Sequence, residues 1–245
     1  MNITDETDVV SPSASGFLPG LQGLHAAVVR KLDGDPLKEY RIQIELPWMD
    51  GKNKLLWARL STMYATNASG NFFLPEPDDE VVVGFMNEDP GHPIILGGVY
   101  GERHKPPYEY EAKNNTKAIV TREKMRIEFN EEKKMVKIST PGKNTVEISD
   151  DDKHIKLTDQ NKNEIVMNSS GISFSSAKDI TLKAKGAITM DATSKFSATA
   201  KQDVSLEGLN VNMQAKVSAA VKGNAKAELS ASGQTTVKGG MVMIN

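Results

Sequence analysis

Eight consecutive units of eight residues fill the C-terminal part of this chain, and they restrict its fold more than anything else in it. The second inward position of successive units reads Leu182, Met190, Ala198, Leu206, Met213, Val221, Leu229 and Val237, always eight residues on except for one step of seven. Two residues earlier stand Ile180, Ile188, Phe196, Val204, Val211, Ala219, Ala227 and Thr235. Two residues later stand Ala184, Ala192, Ala200, Gly208, Ala215, Gly223, Ala231 and Gly239. Each unit therefore reads as a short strand, apolar at alternate positions, that ends on a small residue. Alternation of period two buries one face of a strand. A third position that is always small marks a place where something passes too close for a larger side chain. Repeats of this kind stack into an elongated prism or solenoid.

Composition agrees with a rigid, repetitive object. Aromatic residues make up only 6% of the 245 residues, and the octads are filled by Ala, Val, Met and Leu. Apolar burial is worth roughly 25 cal/mol per Å², so such a thin interior stabilises one chain poorly and argues for oligomerisation. The absence of cysteine excludes disulfide staples and thiolate metal sites. With 30 basic and 32 acidic residues there is no basic field to attract nucleic acid. Met1 to Gly16 contains early acids and no apolar run long enough for a signal peptide or a membrane span.

The chain reads as all-β in five zones. Residues 1–20 form a Ser/Pro/Gly-rich arm or linker. Residues 21–103 hold the segments HAAVVRKLD, YRIQIELPW, LLWARLSTMY, NFFLPEPDDEVVVGFM and PIILGGVYG. Five short strands with Gly, Pro and Asp turns predict a small closed or nearly closed barrel of the OB type. Residues 104–116, with Pro106 and Pro107, read as a linker. Residues 117–178 carry MRIEF, MVKIS, TVEIS, HIKLT, EIVMN and ISF between polar turns, a β-prism neck. Residues 179–245 are the octad shaft and tip.

RIQIELPW (Arg41–Trp48), WARLST (Trp57–Thr62) and NFFLPEPDDEVVVGFMNEDPGHPIILGGVY (Asn71–Tyr100) resemble the OB-fold domain of VgrG and phage baseplate spike proteins. ISTPGKNTVEISD, KLTDQNKNEIVMNSSGISFSS and KDITLKAKG resemble the β-prism of the same family. The resemblance runs from about residue 20 to residue 245. It implies an N-terminal OB barrel followed by an intertwined trimeric β-prism or β-helix, in a homotrimeric, non-enzymatic spike of a contractile injection system. Such a machine is a type VI secretion apparatus, a phage-tail-like particle or a phage. The spike would be assembled in the cytoplasm and then ejected without a signal peptide. Large family members carry a preceding hub domain, and residues 1–20 are too short to be one, so the expectation is either a short baseplate-protein-V-like member or a piece of a longer chain.

A trimer also follows from the octads themselves. If each octad covers one face of a three-sided prism and the next strand on that face comes from a neighbour, eight octads advance roughly 38 Å at about 4.8 Å per strand. A lone chain would complete under three levels and leave open edges, which invite aggregation. Shared ladders cannot be peeled locally, which implies high kinetic stability. The charged outward positions, among them Lys183, Lys185, Asp191, Lys201 and Glu228, read as a solvated face.

After Gly239 and Gly240 the chain ends Met241, Val242, Met243, Ile244, Asn245. Three copies place an apolar ring at a blunt end, a hazard unless capped. The resemblance implies that a PAAR-repeat tip protein, which often carries an effector, docks on these five residues. It also implies hub, tube and baseplate partners at the other end, with Phe17, Leu21 and Trp48 as candidate contacts, and transient contact with the target membrane.

A search for chemistry returns no catalytic residue, metal ligand or cofactor site. His25, His92, His104 and His154 lie in separate zones, and HExxH, GxSxG and phosphate-loop patterns are absent. Asp150, Asp151 and Asp152 read as an acidic turn without the spacing of a calcium loop. Glu76, Asp78, Asp79 and Glu80 read as a turn that leads into VVVGF, and His92 as structural. Nucleic-acid binding by the barrel would use Trp48, Trp57, Tyr64, Phe72 and Phe73, but WARL and NFFLP read as strand core and strand start, and no basic stripe accompanies them. The remaining alternative is a trimeric tailspike-like or adhesin-like protein that binds polysaccharide.

Overall fold

The computed structural model describes residues 21–49 and 51–244. The arm 1–20 and Asn245, and with them the expectations placed on Phe17 and Asn245, lie outside the described residues. The chain divides after Ile180 into two units. Helix among the described residues is limited to two short 3-10 turns, Gly51–Lys54 and Met86–Glu88, so the all-β reading holds.

The first unit begins with a closed five-stranded barrel in the order β1-β2-β3-β7-β6. Its strands are β1 (His25–Lys31), β2 (Ile42–Glu45), β3 (Leu55–Leu60), β6 (Glu80–Phe85) and β7 (Pro93–Gly98). Alternation supplies the interior. Ala27 and Val29 of β1, Ile42 and Ile44 of β2, Ala58 of β3, Val81 and Val83 of β6 and Ile95 of β7 are at most 3% exposed, joined by Leu46 just beyond β2. Full burial of a Val or Ile side chain stabilises by about 1.5–3 kcal/mol, so this interior organises the whole barrel. Closure comes from the parallel pairing of β3 with β7, Arg59 opposite Ile94 and Leu60 opposite Ile95.

Two features of the barrel differ from the sequence reading. The long β3–β6 connection forms a small hairpin of its own, β4 (Ala65–Thr66) with β5 (Ser69–Gly70). Gly70 has φ +152°, and a Cβ there would lie 2.5 Å from the Tyr64 carbonyl oxygen, so only glycine fits. NFFLP is not the start of a strand, since β6 begins at Glu80 and Phe72 and Phe73 are 84% and 62% exposed. Pro75 and Pro77 explain this locally, because proline has no N–H to give to a ladder.

Residues 99–115 contain no strand, yet the segment is not a free tether. Tyr108 is half-buried and its hydroxyl donates to Glu128 Oε2 at 2.6 Å. The neck then forms one seven-stranded antiparallel meander: β8 (Thr116–Val120), β9 (Arg126–Asn130), β10 (Met135–Ser139), β11 (Thr145–Ser149), β12 (His154–Thr158), β13 (Glu164–Asn168) and β14 (Gly171–Ser175). Six of these strands were legible in the sequence, whereas β8 was not. Within the chain each strand pairs with its sequence neighbour, so the neck is a continuous sheet in one protomer rather than strands shared between copies.

A nineteen-residue period, hidden at the level of single strands, organises the meander. Lys124, Lys143 and Lys162 recur at that interval, as do Lys134 and Lys153, and all five adopt positive φ in hairpin turns. Three turns repeat one bonding scheme. The N–H of Thr121, Thr140 and Asp159 donates to the carbonyl of Met125, Asn144 and Asn163, and the lysine N–H returns to the first residue's carbonyl. Left-handed backbone usually selects glycine, so placing lysine there trades local strain for charge.

The second unit, Thr181 onward, has no assigned strand among its described residues, and every described residue in it is exposed. The octad face expected to be buried is uncovered in one protomer: Ile188 is 54%, Leu206 75% and Met213 76% exposed. No part of an octad supplies the ladder partner or the apolar cover that it needs. The small third position does agree with its reading. A Cβ on Gly208 or Gly239 would lie 3.4 or 3.2 Å from a backbone carbonyl, and one on Gly223 would collide with the Lys226 carbonyl, while Gly186, Gly233 and Gly240, at other positions, meet nothing.

Candidate functional site

The meander has two unlike faces because its registers align the alternation of every strand. Phe129 stands opposite Val136 and Ile127 opposite Ile138. Ile138 faces Val146, Val146 faces Leu157, Leu157 faces Ile165 and Ile165 faces Phe174. A second row runs from Val136 through Ile148 and Ile155 to Met167 and Ile172 by the same pairings. These side chains stay in contact with solvent, with Ile127 38%, Ile148 45% and Phe174 65% exposed. They enclose an open groove of about 540 Å³ lined by Ile138, Val146, Leu157, Ile165 and Phe174.

The opposite face is a charge ladder. Glu128, Lys137, Glu147 and Lys156 stand in register across β9 to β12, so opposite charges alternate as cross-strand pairs prefer. Lys137 Nζ lies 2.8 Å from Glu147 Oε2, and Lys156 Nζ 2.7 Å from Glu164 Oε1. Lys137 holds the Glu147 carboxyl below its ordinary range against the opposing effect of burial, with a smaller contribution from His154. Lys156 does the same for Glu164. Burial, and then the hydrogen bond to Glu128, push the Tyr108 hydroxyl upward. This face is satisfied within the chain, and the apolar face is not.

Donor atoms of Glu147, Asp152 and His154 lie within 4.8 Å of one another, a grouping that sequence spacing did not reveal. His154 Nε2 is 2.9 Å from Glu147 Oε1, and the Ser149 hydroxyl accepts from the Asp152 N–H. Lys137 shares the same Glu147 carboxylate, and its ammonium opposes a cation there, so the group reads as part of the ladder. Asp150, Asp151 and Asp152 occupy a turn, as expected.

The remaining sequence candidates fall in separate places. Met241, Val242, Met243 and Ile244 are 82%, 50%, 80% and 90% exposed. At the barrel, Leu21 donates its N–H to the Glu88 carbonyl at 3.0 Å, Gln22 Nε2 reaches Glu88 Oε1, and the Gln22 carbonyl meets His25 Nε2. His25 stacks on Trp48 with ring centroids 5.0 Å apart. Leu21 and the half-exposed Trp48 therefore share one corner of the barrel. The PEPDDE turn is tied down by ion pairs from Glu76 to Arg122 at 3.0 Å and from Asp78 to Arg30, and His104 Nδ1 lies 3.6 Å from Asp79 Oδ1. His92 bonds Asp89 across its own turn at 2.9 Å.

A small OB-type barrel followed by a β-rich region with an uncovered apolar face defines the class, and comparison with known proteins agrees. Residues 25–100 match the type VI secretion system/phage-baseplate injector OB domain, and residues 135–245 match the phage baseplate V C-terminal trimerisation domain. Among curated relatives, the chain is 29% identical over 119 residues to the type VI secretion system spike protein VgrG1c of Pseudomonas aeruginosa, covering 46% of this chain and 16% of that protein. It is 30% identical over 112 residues to VgrG1a of the same organism, covering 43% and 17%. It is also 30% identical over 112 residues to a Vibrio cholerae protein named actin cross-linking toxin VgrG1, covering 43% and 10%. The chain thus spans under a fifth of the length of these relatives. It belongs to the VgrG and phage-baseplate spike family, and the trimerisation-domain match supports a homotrimer.

Proposed function

We propose that this chain is the protomer of a non-enzymatic central spike in a contractile injection machine. Three copies form a rigid shaft that receives force at its barrel end and delivers it through a small tip. The observation that carries this reading is the apolar stripe left uncovered on the meander and octads, within the region matched to a trimerisation domain. A sheet with one apolar face must bury it against another layer, and copies of the same chain are the cover that this match supports. Strands running across the shaft, bonded along it, load a continuous ladder under compression.

The tip reading rests on Met241, Val242, Met243, Ile244 and Asn245, where an apolar end suits a PAAR-repeat cap that carries an effector. Hub, tube and baseplate proteins would meet the barrel end, with Phe17, Leu21 and Trp48 as contacts. The spike would assemble in the cytoplasm and cross the target membrane in passing. In favour of a non-enzymatic role, the histidines and clustered acids of the described residues are engaged in turns and ladders. The name of one relative as a toxin concerns that protein.

Light scattering on the chain with and without residues 240–245, together with capture of a purified PAAR-repeat protein, tests this reading. A mass near three times 26.7 kDa in both forms, with capture lost only in the shortened one, is expected. A monomer overturns the shared shaft and favours the polysaccharide-binding alternative, which binding on a glycan array would then support.

A further inference from the structure

The octads cannot by themselves say where along the shaft one chain should meet the next. A displacement by eight residues lays the inward row of one copy on an equivalent inward row, and the single seven-residue step between Leu206 and Met213 is the only break in the count. Patterns that repeat after a slip specify register weakly. Some other part of the molecule must set the alignment before the octads close.

The meander has what that task requires. Its interior strands are bonded on both edges within the chain, so the sheet forms without a partner, as the octads do not. Its charged face is closed by Lys137–Glu147 and by the Tyr108–Glu128 bond, which leaves only the apolar face free. On that face Phe129, Ile138, Val146, Ile148 and Leu157 remain 37–46% exposed while the barrel interior is at most 3% exposed. The matched trimerisation domain begins at residue 135, the first residue of β10, well before the octads.

Resting on the trimeric reading above, we infer that the apolar face of the meander is a separate recognition surface for two further copies of this chain. It joins three preformed sheets before the octads pair and thereby fixes their axial register. Preformed sheets dock as units, so a slip must move a whole folded face rather than one strand. Three-fold symmetry turns the three apolar faces toward a common axis, and the open groove over Val146 and Leu157 closes there.

The test compares the full chain with a chain ending at Ile180, which keeps the barrel and every ladder of the meander. Both are measured by sedimentation equilibrium over a hundred-fold concentration range, with folding of the short chain checked by circular dichroism. Trimers of both, with the short one dissociating on dilution, are expected. A trimeric full chain with a folded short chain that stays monomeric overturns the inference and leaves the spike reading standing, whereas a monomeric full chain overturns both. In the full chain, Val146→Asp combined with Leu157→Asp is expected to slow refolding to the trimer at least ten-fold. An unchanged rate overturns the inference even where the short chain cannot be purified.

Discussion

Ile44 in the barrel and Leu206 in the octads both sit at the apolar position of an alternating strand pattern, but Ile44 is fully buried and Leu206 is 75% exposed. The difference lies in what closes around each. In the barrel, β1, β2, β3, β7 and β6 close on one another and the inward rows meet across a shared interior. In the octads the same period-two code leaves its inward row exposed, and the described residues supply no covering row. The meander stands between these cases, since its hydrogen bonds are satisfied within the chain while its apolar face is not. Period-two alternation therefore specifies that a face is to be buried and leaves open which chain buries it.

The sharpest way to break this comparison is Leu206→Pro, which removes a donor needed by a ladder between copies. It should abolish or strongly weaken the trimer, seen by light scattering, and leave barrel unfolding unchanged; an equally stable trimer would mean that the octads carry little of the assembly. Next is Ile44→Ala, a cavity in the barrel, expected to cost about 2–5 kcal/mol. Denaturant unfolding of the barrel should register that loss independently of protein concentration, and a concentration-dependent effect would show that the barrel too is completed by its neighbours.

Acid should act on the meander in a smaller, graded way. The folded Glu147 carboxyl lies below its ordinary value, chiefly through the Lys137 hydrogen bond. Its contribution is therefore complete above the carboxylate's unfolded range, near pH 4, and is lost as pH falls through the lowered folded value. Glu147→Gln should flatten the acid limb of the melting curve recorded by circular dichroism, and an unaltered limb would place acid sensitivity elsewhere. The smallest effect is expected from Lys143→Gly, which relieves a left-handed lysine with φ +67°. A gain of about 0.5–1 kcal/mol in meander stability, read from thermal melts, would mark strain in the repeated turn, and a loss would show that the lysine makes contacts that outweigh it.

Much of this organisation was legible in the residues, for identifiable reasons. The barrel strands could be read because each alternates apolar residues between Gly, Pro and Asp turns, and the octads because their period is nearly strict. NFFLP was misread because its apolar residues look like a strand while Pro75 and Pro77 withhold the ladder donors. β8 was missed because Lys117 and Ala118 dilute its alternation around Ile119. The nineteen-residue period could have been found by aligning Lys124, Lys143 and Lys162, but it is a period of hairpins and disappears when strands are counted singly. The grouping of Glu147, Asp152 and His154 had no signal in spacing, since β11 and β12 bring them together only once their register is set.

By itself the sequence determined that the chain is β, that its first part closes on itself, and that its last part repeats an apolar row too thin to stand alone, because these follow from local alternation, turn chemistry and composition. The tertiary structure decided how the strands close and which face is left over. The parallel β3–β7 pairing that closes the barrel depends on strand register across a long connection. The division of the meander into a charged face satisfied by its own ladder and an apolar face left uncovered within the chain depends on six registers holding together, which no single segment encodes.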